Sequence, residues 1–467
     1  MFCKVKLKIN HKEQYRKTLL LAYPIILSQM GQMLTGIVDN MMVGRVGTTS
    51  LAAASFANGI FSNVMIFGMG FAIGLTPLIG KAIGRKDHSK AANLFRHSLL
   101  VNLILGVLLT SVLFVASNYM DKMGQPDQVV TEAIPYFLVI SSSMLPLMIF
   151  FSFKQFTEGI SVTKPAMVFT LLSNLLNVIL NYILIYGKFG MEPMGLVGAG
   201  WATLISRIFQ AIGLFAYVWF AKRFSAYNHK AHHHFVFRKE TIKELVSIGV
   251  PIALQFTMEV AAFAFGTIMM GWVGKTELAA HQIALSLASL TFMTVSGMAS
   301  ATTVRVSNQY GEGNYKEMRL AAMTACYMVI VFMAISAIVF LTFNHVLPLA
   351  FISDPDVIKV AASLLILAGV FQLFDGVQVT MMGALRGLSD VKVPTYIALI
   401  AYWFIALPVA YIFSFKLGFN ESGIWIGFCS GLGIASILLY IRFNHISKQM
   451  INKQNMKIDN NISYQSA

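Results

Sequence analysis

Apolar runs of about 20 residues, the length that crosses a bilayer as a helix, recur along the whole chain. Twelve can be read, at 19–41, 53–80, 97–118, 131–152, 165–187, 196–220, 245–270, 280–304, 320–342, 360–382, 393–415 and 422–441. The second is overlong and carries Gly68, Gly70, Gly74 and Pro77, so it should bend. Turn signals such as MGQPD, YGKFGMEP, SDPD and GLSD separate the runs.

Polar positions inside the runs are patterned too. Ser28, Gln32, Thr35 and Asp39 recur at steps of four, three and four, which is one face of a helix. Asn174, Asn177 and Asn181 make a second stripe in the fifth run, and Thr203 in the sixth could join it. Gln255 lies one turn before Glu259 in the seventh, and Gln372, Asp375 and Gln378 recur every three residues in the tenth.

Composition agrees with a membrane protein. Of 467 residues, 57% are hydrophobic and 12% charged, and the mean hydropathy is +0.68. Soluble domains carry about 25% charged residues. A net charge of +15 alone would suit nucleic acid, but the placement of the charges argues otherwise. With the N-terminus in the cytoplasm, 28 of the 35 Lys and Arg fall on the inner side. Each outer loop holds one (Arg45, Lys122, Lys188, Lys275, Lys359 and Lys416), and Arg207 lies in the sixth run. That split follows the positive-inside rule. The expectation is a multi-pass protein of the cell (inner) membrane with both termini cytoplasmic, a lipid bilayer for surroundings and no nucleic-acid partner. The N-terminal MFCKVKLKINHKEQYRK lacks an apolar core and a small-residue cleavage site, and reads as a cytoplasmic arm. Cys3, Cys326 and Cys429 form no CxxC or metal-type pattern.

The chain also repeats itself. Shifted by 227 residues, Pro24–Gly84 lies over Pro251–Gly311 without a gap, and GRVGTTSLAA meets GWVGKTELAA. After one insertion EGISVTKP (158–165) meets RGLSDVKVP (386–394). The fold class expected is all-α, with twelve transmembrane helices in two homologous six-helix lobes. An arm at 1–18 precedes a lobe at 19–220, a basic loop at 221–244 joins it to a lobe at 245–441, and a cytoplasmic tail takes 442–467. Six spans per half give both halves one topology, related by an axis along the membrane normal. The cleft between such lobes is the expected substrate site.

Of twenty acidic residues, seventeen fall in loops or at the ends of runs, and three lie well inside: Asp39, Glu259 and Asp375. Intramembrane carboxylates are costly and mark ion pathways. The repeat aligns Glu259 with Gln32 and Asp39 with Gly266, so each lobe carries its own chemistry. Carboxylate and amide oxygens suit a small hard cation such as Na⁺, while a buried carboxyl can exchange H⁺; both stay open. Arg207 is read as the one base within the spans. HHH at 232–234 reads as a solvated tract, and Gly70 with Gly74 as a helix-packing pair.

PIILSQMGQMLTGIVDNMMVGRVGTTSLAA, ELAAHQIALSLASL and FQLFDGVQVTMMGALRGLSDVKVP, in this order and spacing, resemble the multidrug and toxic compound extrusion (MATE) transporters, in particular the NorM-type branch. The resemblance implies V-shaped lobes and export of drug-like organic cations by alternating access, in exchange for Na⁺ or H⁺. It implies no enzyme activity and no cofactor beyond the coupling ion, and a monomer is expected to be the working unit. By position, Asp39 looks like the N-lobe carboxylate, Asn177, Asn181 and Thr203 like its polar neighbours, and Glu259 and Asp375 like the C-lobe pair. Gln32, Gln255, Gln372 and Gln378 are polar support for these sites. Phe371, one turn before Asp375, stands where some relatives carry tyrosine. A lipid-linked precursor flippase is the alternative, disfavoured because only Arg207 could hold phosphate. An intramembrane aspartyl protease is disfavoured because IVDN, TMEV and LFDG lack a Gly-x-Gly-Asp context. The chain has no P-loop, so it is not itself an ATPase.

Overall fold

The computed structural model describes residues 11–228 and 237–465, with side chains described for 12–227 and 237–456. His232–His234 and Cys3 lie outside them.

Twelve helices are long and apolar enough to cross a membrane. In chain order the spans are Lys12–Gly44, Thr48–Gly84, His88–Ser117, Asp127–Gly159, Lys164–Tyr186 and Gly195–Phe220, then Lys239–Val273, Lys275–Glu312, Tyr315–Thr342, Pro355–Gly387, Lys392–Lys416 and Asn420–Met456. The second breaks at Gly74, as its glycines and proline require. The fourth breaks at Ser143, and the eleventh contains two π-helical segments, Ile400–Ala406 and Ile412–Lys416. Several helices run a turn or more past their apolar cores, notably the fourth and the tenth.

The sequence repeat is physical. Asp87 caps the third span by accepting from the Lys90 amide at 2.8 Å. Its counterpart 227 residues on, Asn314, caps the ninth by accepting from Glu317 at 3.3 Å. Such caps satisfy amide donors at a helix start that no intrahelical carbonyl reaches.

One buried apolar cluster belongs to the first half and reaches Leu245, Ile248 and Ile252 at the start of the seventh span. A second fills the other half from Ala262 to Phe443. A third joins Ala22 of the first span to Val295, Met298 and Ala301 of the eighth and Val329 and Met333 of the ninth. The first span therefore docks on the opposite half, as does the seventh. Small residues permit both crossings, because bilayer helices gain most from close backbone contact. A Cβ on Gly70 would stand 2.8 Å from the Cα of Ala253, and one on Gly297 3.0 Å from the amide nitrogen of Ile26. These contacts are counterparts under the same 227-residue shift.

Candidate functional site

A cavity of about 430 Å³ lies between the two halves. Met69, Phe256, Phe263, Phe292, Met293 and Phe371 give it apolar walls. Glu259 and Asp375 both line it, so the paired C-lobe carboxylates are brought to one space.

Glu259 has a defined set of partners. The Tyr402 hydroxyl lies 2.7 Å from its Oε1 and 2.9 Å from Oε1 of Gln378. Gln255 Nε2 donates to Glu259 Oε2 at 3.5 Å, a long contact. A phenol carries one proton and cannot donate fully to two oxygens. The trio closes when Glu259 is protonated and donates to the phenol, or when the Gln378 amide turns its NH₂ inward. The cluster can therefore serve a neutral carboxyl, or an ionised one holding a cation. Tyr402 is 1% exposed and sits in the first π-helical segment of the eleventh span, a kind of irregularity that gathers at functional sites. Asp375 has no hydrogen-bond partner among the described residues, so its oxygens are available to something in the cavity. Glu259, Asp375, Gln378 and Tyr402 together offer hard oxygen donors that fit Na⁺.

A second polar cluster lies within the first half. Asn181 Nδ2 donates to Asp39 Oδ1 at 2.5 Å and to Asn177 Oδ1 at 3.2 Å. Asn177 Nδ2 reaches Thr203 Oγ1 at 3.4 Å. Asp39, Asn181, Asn177 and Thr203 thus form one chain across the first, fifth and sixth spans. Arg207 donates from Nη1 to Ser143 Oγ at 2.6 Å, and its guanidinium lies 4.8 Å from the ring centre of Phe61. Asp39 does not line the inter-half cavity.

Two segments of the chain, residues 24–183 and 251–412, match the MatE family model, one in each half. The chain belongs to the MATE family of membrane transporters. A Rhizobium meliloti relative called "Probable multidrug resistance protein NorM" is 34% identical, covering 93% of this chain and 94% of that one. A Mannheimia succiniciproducens relative of the same name is 32% identical, over 95% and 97%. Among solved structures, "Crystal structure of MATE in complex with MaD3S" aligns with a TM-score of 0.87 at 23% identity, covering 94% of this chain and 97% of that one. A Pyrococcus furiosus transporter described as having a reversed binding-pocket polarity aligns at 0.83 and 23%, over 94% and 96%. At such identities the structures establish the MATE fold alone.

Other expected site residues are placed differently in this MATE protein. Gln255 and Gln378 line the cavity. Gln32 is exposed, and Gln29 lines the cavity from the first span instead. Gln372 is 1% exposed, lies off the cavity, and neither end of its amide finds a partner.

Three more charged residues belong to the spans. Glu158, Lys154 and Arg386, read from sequence as lying in loops or at span ends, sit inside helices and line the cavity. They follow their apolar runs closely, yet the helices continue and packing within each half buries them beside the cavity. Arg207 is therefore not the only base available within the spans, and the objection to a phosphate-binding cavity loses its premise. Tyr402 gave no signal, since a lone tyrosine in AYWF reads as an aromatic against lipid. Arg386 and Glu158 could have been found: the repeat sets them in one column.

Proposed function

We propose that the protein is a secondary antiporter that exports amphipathic, often cationic, drug-like molecules in exchange for Na⁺ or H⁺. The observation that carries this reading is the Glu259–Tyr402–Gln378 cluster, with Asp375 one turn before Gln378 on the same helix, in the wall of a largely apolar cavity between two halves. A flat hydrophobic cation finds aromatic and methionine walls and a carboxylate counter-charge there. A coupling cation competes for the same oxygens, so each drives the other off. For exchange to do work, the cation must bind one lobe arrangement more strongly than the other. The names of the relatives support drug export. The lobes at 19–220 and 245–441 would rock about the cavity, in a monomer of the inner membrane with both termini cytoplasmic. Asp39 and its asparagines would act as a second cation site in the first lobe.

Ethidium efflux from vesicles under separately imposed Na⁺ and H⁺ gradients tests the proposal. One gradient should drive efflux in the wild type, and Glu259→Gln should abolish that drive. If neither gradient drives efflux, antiport is wrong. If Glu259→Gln exports at the wild-type rate, the site assignment is wrong.

A further inference from the structure

The polar chain of the first half stops one helical turn short of a guanidinium. Thr203, where the chain from Asp39 ends, stands four residues before Arg207 on the sixth span, hence on the same face. Arg207 gives one donor to Ser143 Oγ, at the break of the fourth span, and lies over the ring of Phe61. Its Nε and Nη2 have no hydrogen-bond acceptor among the described residues. Asp39 accepts from Asn181 through Oδ1, and its Oδ2 has no donor among them. The two groups are near enough for their charges to act on each other, yet no ion pair joins them among the described residues. Tyr136 is the other titratable group beside Arg207, and its hydroxyl donates to Asn58 Oδ1 at 3.1 Å.

A carboxylate this deep in a bilayer is costly to leave bare. A bound cation offsets that cost, and so does a guanidinium, but one carboxylate neutralises only one of them. The guanidinium rides on a long flexible stem, so a change of rotamer can exchange Ser143 for Asp39. We propose that Arg207 is a tethered counter-charge for Asp39, taking the carboxylate when the coupling cation leaves and returning to Ser143 when one binds. The geometry described is the one with Arg207 withdrawn, in which Asp39 is open to a proton or a metal cation. Arg207 thus competes with the cation and lets it leave. It is a positioning residue that acts through Asp39. This inference rests on the reading of Asp39 as a cation site and adds what replaces the cation there.

Infrared difference spectra of the purified full-length protein in nanodiscs, taken on adding H⁺ or Na⁺ separately, report Asp39 through the carboxyl band that Asp39→Asn removes. Arg207→Gln should lower the half-saturating cation concentration at Asp39 about tenfold or more, while Arg207→Lys stays near the wild type. Cation-driven ethidium efflux in Arg207→Gln should also saturate at a lower cation concentration and at a lower maximal rate, because the cation leaves slowly. A merely structural role would loosen the site and raise the half-saturating concentration. Ser143→Ala, which removes the rival partner, should raise that concentration several-fold, and keeps the test open if Arg207→Gln does not fold. An unchanged or raised value in Arg207→Gln overturns the counter-charge, as does an unchanged or lowered value in Ser143→Ala. If Asp39 of the wild type takes neither cation, its reading as a cation site and the counter-charge fall together. If neither gradient drives ethidium efflux, antiport falls, and the infrared result still decides the role of Arg207.

Discussion

The Tyr402 hydroxyl stands 2.7 Å from Oε1 of Glu259, a bond that ties the eleventh span to the seventh at the cavity wall. Tyr402→Phe removes one oxygen and leaves the ring packed against Phe263. A hydrogen bond to a charged group contributes about 1.5–3 kcal/mol. Cation-driven ethidium efflux should therefore fall about tenfold or more, with the protein still folded and its Na⁺ or pH dependence displaced. Because the hydroxyl acts through Glu259, adding Tyr402→Phe to Glu259→Gln should cost almost nothing further. Additive losses would mean that Tyr402 acts elsewhere.

The asparagine chain leads to a separate test. Asp39 bonds Asn181, Asn177 and Thr203 complete the chain, and none of the four contacts Glu259 or Asp375 in the described hydrogen-bond network. Asn181→Ala should leave an uncompensated acceptor at Asp39 and weaken transport several-fold. Combined with Glu259→Gln in a drug-binding assay, its effect should add within about 0.5 kcal/mol, as for sites without shared partners. Strong non-additivity would show the two clusters acting as one.

Spans, repeat and first-half polar chain were legible because each rests on a strong local constraint. A bilayer demands unbroken apolar runs, a duplicated half aligns without gaps, and a stripe at steps of three and four must share a helix face. The cavity cations were not legible, since Lys154 and Arg386 lie just past their apolar runs and only tertiary packing shows that their helices continue. Gln32 was misplaced for a related reason. It aligns with Glu259, but its side chain is exposed, and Gln29, nearly one turn earlier on the same helix, lines the cavity instead. Nothing local distinguishes Tyr402 from a lipid-facing aromatic; its role depends on a π-helical offset and on Glu259, four spans earlier in the same half.

Lys154 and Glu158 are buried partners on one helix, with side chains 9% and 4% exposed. Removing one member of such a pair strands the other in a poorly hydrated place. Lys154→Met should lower stability by about 3 kcal/mol, read as a drop in the thermal midpoint in detergent. Lys154→Met with Glu158→Gln should recover most of that loss, because no charge is then left unpaired. A double variant no more stable than the single would mean that Glu158 has another partner when the protein is folded.

The end of the molecule that carries the start of the first span is latched shut. Arg305, 8% exposed on the eighth span, donates to Thr18 Oγ1 at 2.5 Å, to the Gln14 carbonyl at 3.2 Å and to the Gln14 side chain. Gln14 Nε2 in turn donates to Glu317 at 2.6 Å. Nearby, a Cβ on Gly84 would stand 2.9 Å from the Cα of Gly311, its own counterpart in the repeat. Backbone meets backbone there, so no rotamer change makes room. Gly84→Val should therefore disfavour this closed arrangement by the usual overpacking cost of about 1–3 kcal/mol, enough to shift the ratio of lobe arrangements roughly tenfold. Spin labels at the exposed positions Arg223, just past the sixth span, and Lys448, in the twelfth, would report the shift. Their distance distribution should gain a longer component in Gly84→Val, and a milder one in Arg305→Gln. An unchanged distribution in Gly84→Val would show that the glycine contact does not hold the two halves together.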